Sequence, residues 1–245
     1  MRMTTNRWWR VVVAVFSFIL WAANGNAQTT NQQIPGCKDI APMPPVLTFG
    51  GPATVPARGT ELAIAAGAWG NLFPRPCLHE TGVNWFGRWR RGLTDRLDVG
   101  LDFQGAEHSS NQDFSFKAAL RYKLLKDLRV EGGFGIGDDT EGKSINTDVA
   151  ATVGMPFSNA TWSTYAAIRL AAARGYSSRA FAGSNTPPGA VVPIASFGTS
   201  ARVGENTSWT FEGGAGGILS REHPDVGEFV YIAVGLNFTI HRKTE

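Results

Sequence analysis

The chain has 245 residues, enough for one sizeable domain, and only 18% of them are charged. Lys+Arg number 23 against 20 Asp+Glu, but Arg2, Arg7 and Arg10 crowd into the first ten positions, and without them the two signs are equal at twenty each. A chain so balanced has no basic surface with which to neutralise phosphates, which argues against nucleic acid as a partner.

Those three arginines precede "VVVAVFSFILWAA" (11–23), an apolar run too short to span a bilayer comfortably, and then "GNA" (25–27). A basic, apolar and small-residue order is that of a secretory signal, so residues 1–27 are expected to be cleaved after Ala27. An exported protein meets oxidising conditions, so Cys37 and Cys77, the only cysteines, are expected to form a disulfide. Residues 28–58, "IPGCKDIAPMPPVLTFGGPATVPARG" and its approach, carry Pro and Gly without a period. They read as an irregular arm, either hanging in the periplasm or entering the following domain as a plug.

From Thr60 the period is two. Ten strands are expected, at about 60–69, 81–92, 96–105, 112–123, 127–137, 145–155, 161–174, 191–203, 207–220 and 227–240. Their lengths exceed those of ordinary globular strands and suit tilted crossings of a membrane. The connections read as alternately short ("LTD", "LKD", "FSNA", "ENT") and long ("NLFPRPCLHE", "AEHSSNQD", "GDDTEGKS", "GYSSRAFAGSNTPPGAV", "EHPDVG"). Short turns on one side and longer loops on the other predict an all-β, up-and-down antiparallel transmembrane barrel of about ten strands, spanning residues 59–241, with a tail at 242–245. Both ends of the barrel would then lie in the periplasm. A soluble exported β-sandwich is the alternative fold.

Within each strand one face is apolar and the other polar. Phe114, Phe116, Ala118, Leu120 and Tyr122 alternate with Ser115, Lys117, Ala119 and Arg121. Val230, Ile232, Val234, Leu236, Phe238 and Ile240 alternate with residues such as Tyr231, Gly235 and Asn237. Aromatic residues recur near strand ends, as at a membrane interface: Trp85, Trp89, Phe103, Phe114, Trp162, Trp209, Phe211 and Phe238.

The segment "VGLNFTI" (234–240), with Gly235, Phe238 and Ile240 in its slots, resembles the C-terminal β-signal of small Gram-negative outer-membrane barrels, although "HRKTE" follows it. "RWRRGLTDRLDVGLDF" (88–103) is similar to the strand–turn–strand unit of uncharacterised members of that group. The resemblance implies insertion by the barrel-assembly machinery into the bacterial outer membrane, with lipid as surroundings, and a monomer. It specifies architecture rather than activity.

Turning the polar faces inward collects Arg88, Arg90, Lys117, Arg121, Arg129, Arg169 and Arg202 with Glu61, Asp98, Asp102, Glu131, Asp148 and Glu212. Signs that nearly cancel on neighbouring strands predict a lumen laced by ion pairs, with Asp102 meeting Lys117 or Arg121 and Arg129 meeting Asp148. Inward Gly133, Gly135, Gly214 and Gly216 either leave volume for a channel or the arm, or relieve crowding. The reading that follows is a structural or interaction protein of the outer membrane, with a narrow porin-like channel as its alternative. Outer loops hold His79, Glu80, His108, Asp138, Asp139, Glu222, His223 and Asp225, so an outer-membrane hydrolase of omptin-like or lipid A-modifying type is a further alternative. No nucleophile elbow, P-loop or zinc-ligand spacing occurs, and no cofactor, metal or catalytic residue is expected.

Overall fold

Strict alternation of apolar and polar residues cannot be buried on both faces, so each strand must separate two different environments. The computed structural model describes residues 51, 53–71, 81–108, 111–139, 142–155, 161–176, 189–217, 219–220 and 228–240. They form β1 (Thr60–Asn71), β2 (Thr81–Gly92), β3 (Leu97–His108), β4 (Asn111–Leu125) and β5 (Leu128–Asp139). The series continues with β6 (Gly142–Gly154), β7 (Trp162–Tyr176), β8 (Gly189–Arg202), β9 (Thr207–Gly217) and β10 (Glu228–Ile240). Leu219–Ser220 prolongs the β9 side of the sheet by pairing with Val191 and Ala190 of β8. Neighbours in sequence pair antiparallel throughout, and β10 returns to β1 from Thr60↔Ile240 to Asn71↔Phe229. The result is a closed ten-stranded barrel, in which no sheet edge is left to be satisfied by solvent.

The expected strands are all present, but the expected alternation of loop length is not. Only residues 109–110 separate β3 from β4, and only 140–141 separate β5 from β6. Most of "AEHSSNQD" and "GDDTEGKS" is paired strand, since two chains already in register go on satisfying each other's N–H and C=O groups. Residues 72–80, 177–188 and 221–227 are the longer connections at that end, termed here the long-loop end. The opposite, short-turn end carries 93–96, 126–127, 155–161 and 203–206, together with the start of β1 and the finish of β10.

The outer surface is apolar. Ile64, Phe134, Val149, Ile168, Phe197 and Ile232 are all more than half exposed, and Ile168 reaches 70%. Aromatic pairs stitch neighbouring strands on this face, with ring centroids 5.8 Å apart for Trp85–Phe114 and 4.9 Å for Phe103–Phe116. The charged residues are inside. A soluble barrel would place these two sets the other way round, so this arrangement is that of a barrel crossing a membrane.

Before β1 the chain turns into the short-turn mouth. Gly59 N–H donates to the Pro56 carbonyl (2.8 Å), closing a tight turn in which Arg58 takes the left-handed φ of 62°. Ahead of the turn, Val55 is buried at 2% exposure and Gly51 lies against Ser163 and Tyr165 on the far wall. Of the arm expected at 28–58, these last residues are therefore inside the mouth. Residues 1–50, with the expected signal and Cys37, lie outside the described residues, as do Cys77 and the tail 242–245, so the expected disulfide is not described.

Candidate functional site

Antiparallel register decides which inward charges meet. One row of directly opposed residues runs Asp98 (β3), Arg121 (β4), Glu131 (β5), Ala150 (β6) and Arg169 (β7). Arg121 Nε donates to Asp98 Oδ1 at 2.7 Å and its Nη2 lies 3.5 Å from Glu61 Oε1. Because Ala150 is small, Arg169 reaches across β6 to Glu131 Oε1 (Nη2 to Oε1, 3.1 Å) and also pairs with Asp148.

The next row runs Arg88 (β2), Asp102 (β3), Lys117 (β4) and Gly135 (β5). Arg88 Nε is 3.1 Å from Asp102 Oδ1, and Arg90 Nη1 is 2.7 Å from the same oxygen. Lys117 Nζ sits among three carboxylates, 2.8 Å from Asp148, 3.3 Å from Asp102 and 3.6 Å from Glu131. Its stem passes over Gly133, where a Cβ would lie 2.6 Å from Lys117 Cδ and 2.7 Å from Asp148 Oδ1. Glu131 is the hub. Arg88, Arg90, Lys117, Arg129 and Arg169 all approach it within 4.0 Å.

Of the expected pairs, Asp102 meets Lys117, the first of its two expected partners, at 3.3 Å, and Arg129 with Asp148 is corrected. Arg121 meets Asp98 and Glu61 rather than Asp102, because Asp98 is its directly opposed residue and Lys117 occupies that place for Asp102. Arg129 does not meet Asp148. Its opposed residue is Thr152, whose Oγ1 accepts from Arg129 Nη2 at 3.2 Å, while Asp148 is opposed to Gly133. Arg202 is also corrected. It has inward parity but ends β8 at the short-turn rim, exposed and outside the network.

The remaining wall, β8, β9, β10 and β1, is built differently. Tyr165, Gly198 and Glu212 are directly opposed in sequence across β7, β8 and β9. Tyr165 lies over Gly198, so close that a Cβ there would be 2.2 Å from Cζ, and its hydroxyl donates to Glu212 Oε2 at 2.7 Å. From the other side Tyr231 crosses Gly214 and donates to Glu212 Oε1 at 2.8 Å. Phe229 fills the space over Gly216 in the same way. The inward glycines on this wall thus hold neighbouring aromatic rings and open no channel. Sequence reading did not assign Tyr165 and Tyr231 this role, since glycine signals vacancy without naming the side chain that fills it. Toward the long-loop end an apolar cluster completes the wall, with Trp69, Phe86, Val192, Ile194 and Phe229 each 4% exposed or less. Arg88 joins the two regions by stacking over the Phe86 ring, 4.8 Å from its centroid.

Among the described residues the inward cations Arg88, Arg90, Lys117, Arg121, Arg129 and Arg169 face as many carboxylates, Glu61, Asp98, Asp102, Glu131, Asp148 and Glu212. Lys117 retains 11% side-chain exposure and Glu61 19%, whereas the arginine side chains of the network keep 1% or less. Charges this dry persist only when paired and hydrogen-bonded.

In the last strand Gly235 faces inward against Ala65 and Thr210, while Phe238 and Ile240 face outward near the short-turn end. His79, Glu80, Glu222, His223 and Asp225 lie outside the described residues, and for His108, Asp138 and Asp139 only the backbone is described, so the expected loop-borne alternative lies outside what the structure describes.

No family model matches the sequence, and no curated protein matches it. Among solved structures, the translocator domain of autotransporter NalP from Neisseria meningitidis is similar over 74% of this chain and 88% of its own, at 10% identity and a TM-score of 0.42. The NanC porin is similar over 72% of this chain and 98% of its own, at 12% identity and a TM-score of 0.39. The outer membrane protein OprG from Pseudomonas aeruginosa is similar over 79% of this chain and all of its own, at 10% identity and a TM-score of 0.33. Likeness at this level is no guide to activity, and the reading of the chain rests on the pairing and burial described above.

Proposed function

We propose that this chain is a bacterial outer-membrane β-barrel with a structural or interaction role, its lumen shut by ion pairs, its short turns in the periplasm and its long loops outside. The observation that carries this reading is the continuous network on β1–β7, in which Glu131 alone collects five cations and the buried arginines are fully dry. A barrel of about eight strands is filled by its side chains, whereas sixteen- to eighteen-stranded porins leave an aqueous channel. Ten strands filled by arginine, tyrosine and phenylalanine stay on the closed side of that range. The last strand, with its alternating apolar residues up to Ile240, is the segment offered to the barrel-assembly machinery.

Arg121 separates this reading from a narrow channel. In a closed barrel Arg121→Gln lowers the temperature at which the barrel loses its heat-dependent gel mobility and leaves liposomes sealed to small solutes. Solute-specific efflux from liposomes carrying the wild-type protein, with selectivity altered by Arg121→Gln, would make the lumen a pore.

A further inference from the structure

The segment ahead of β1 is held across the short-turn mouth almost wholly by its main chain. Val55 N–H donates to Asp98 Oδ2 (2.9 Å) and Ala57 N–H to Asp95 Oδ1 (3.1 Å). From the opposite wall Arg129 Nη1 donates to the Gly51 carbonyl and, at 3.5 Å, to that of Ala53. The rim is shaped to receive it: a Cβ on Gly92 would lie 2.0 Å from the Pro56 carbonyl oxygen. Recognition of this kind reads the backbone, with the buried Val55 side chain and the Thr54 hydroxyl, which donates to the Asp95 carbonyl (2.9 Å), as the added side-chain contacts.

The groups that bind the segment do not depend on it. Asp98 keeps Arg121 at 2.7 Å, and Arg129 keeps Thr152 at 3.2 Å and Glu131 at 4.0 Å. An emptied mouth would therefore leave no buried charge unpaired, unlike the removal of any member of the network itself. Every strand, by contrast, pairs with a neighbouring strand on each side.

We propose that the short-turn mouth is a receptor for a polypeptide held through its main chain, and that residues 51–58 are its detachable occupant in cis, holding the site closed to other chains. This rests on the reading of the chain as a membrane barrel.

The test uses the full chain, folded in detergent and verified by heat-dependent gel mobility. Val55→Pro and Ala57→Pro each delete one N–H that donates to a carboxylate, and each lowers the equilibrium constant for closing the mouth about tenfold. The double variant is expected to be cut by trypsin after Arg58 at least about tenfold faster than wild type, by the same argument. It is also expected to bind a fluorescent peptide of residues 51–59 saturably, whereas the wild type does not. If the double variant fails to fold, Ala57→Pro alone carries the test, with the smaller shift. Unchanged cleavage in a folded variant overturns the proposal, and so does fast cleavage without peptide uptake. Absence of heat-dependent mobility in the wild type overturns the membrane-barrel reading instead.

Discussion

The two walls of the lumen reach the same end, a dry interior, by different physics. On β2–β7 dryness is bought with charge: each carboxylate is desolvated and then recovered by two or more cations within 4.0 Å. On β8–β10 it comes from shape, as rings of Tyr165, Tyr231 and Phe229 occupy the space that Gly198, Gly214 and Gly216 leave free. The first kind of wall is intolerant of losing one member, since the partner charge stays buried and uncompensated. The second loses only the contacts removed.

Breaking the hubs shows this most strongly. Glu131→Gln removes the carboxylate that five buried cations share and is expected to cost about 3–5 kcal/mol in equilibrium urea unfolding in micelles. Glu212→Gln, where the donors are two neutral phenols, is expected to cost about 1–2 kcal/mol. Equal losses would remove the distinction between the walls. Outside, Ile168→Arg places a charge mid-strand on the apolar face and is expected to cost about 2–4 kcal/mol in a bilayer. No loss there would mean that this face meets water.

A smaller effect sharpens the shape argument. Gly198→Ala should displace Tyr165 from Glu212 at about 1–3 kcal/mol, and should be nearly neutral in a Tyr165→Ala background. The smallest effect is a gain. Arg58→Gly relieves a left-handed residue in the turn before β1 and should stabilise by about 0.5–1 kcal/mol in the same unfolding assay.

Much of this was legible in the sequence, and unevenly so. Alternation alone separates Phe116 and Leu120 from Lys117 and Arg121, and the structure keeps them on opposite faces. Partners were less legible, because a pair depends on register and on what lies between. Arg169 reaches Glu131 only because Ala150 intervenes, and Arg129 turns to Thr152 because Asp148 is displaced along β6. The glycine wall was the least legible. A glycine in a strand marks a close approach without saying whose ring makes it, so Tyr165 over Gly198 needed the register of three strands. Loop lengths misled for a related reason: polar residues flanking a turn, such as those around 109–110, extend a hairpin as readily as they form a loop.

The most direct measurement is single-channel recording of the full chain in a planar bilayer, with folding and insertion verified by gel mobility and by protease protection of the strands. A lumen closed by the two walls predicts no steady conductance across the ordinary voltage range. Stable ohmic steps from verified, inserted protein would contradict it and would turn the inward arginines from a structural wall into the lining of a pore.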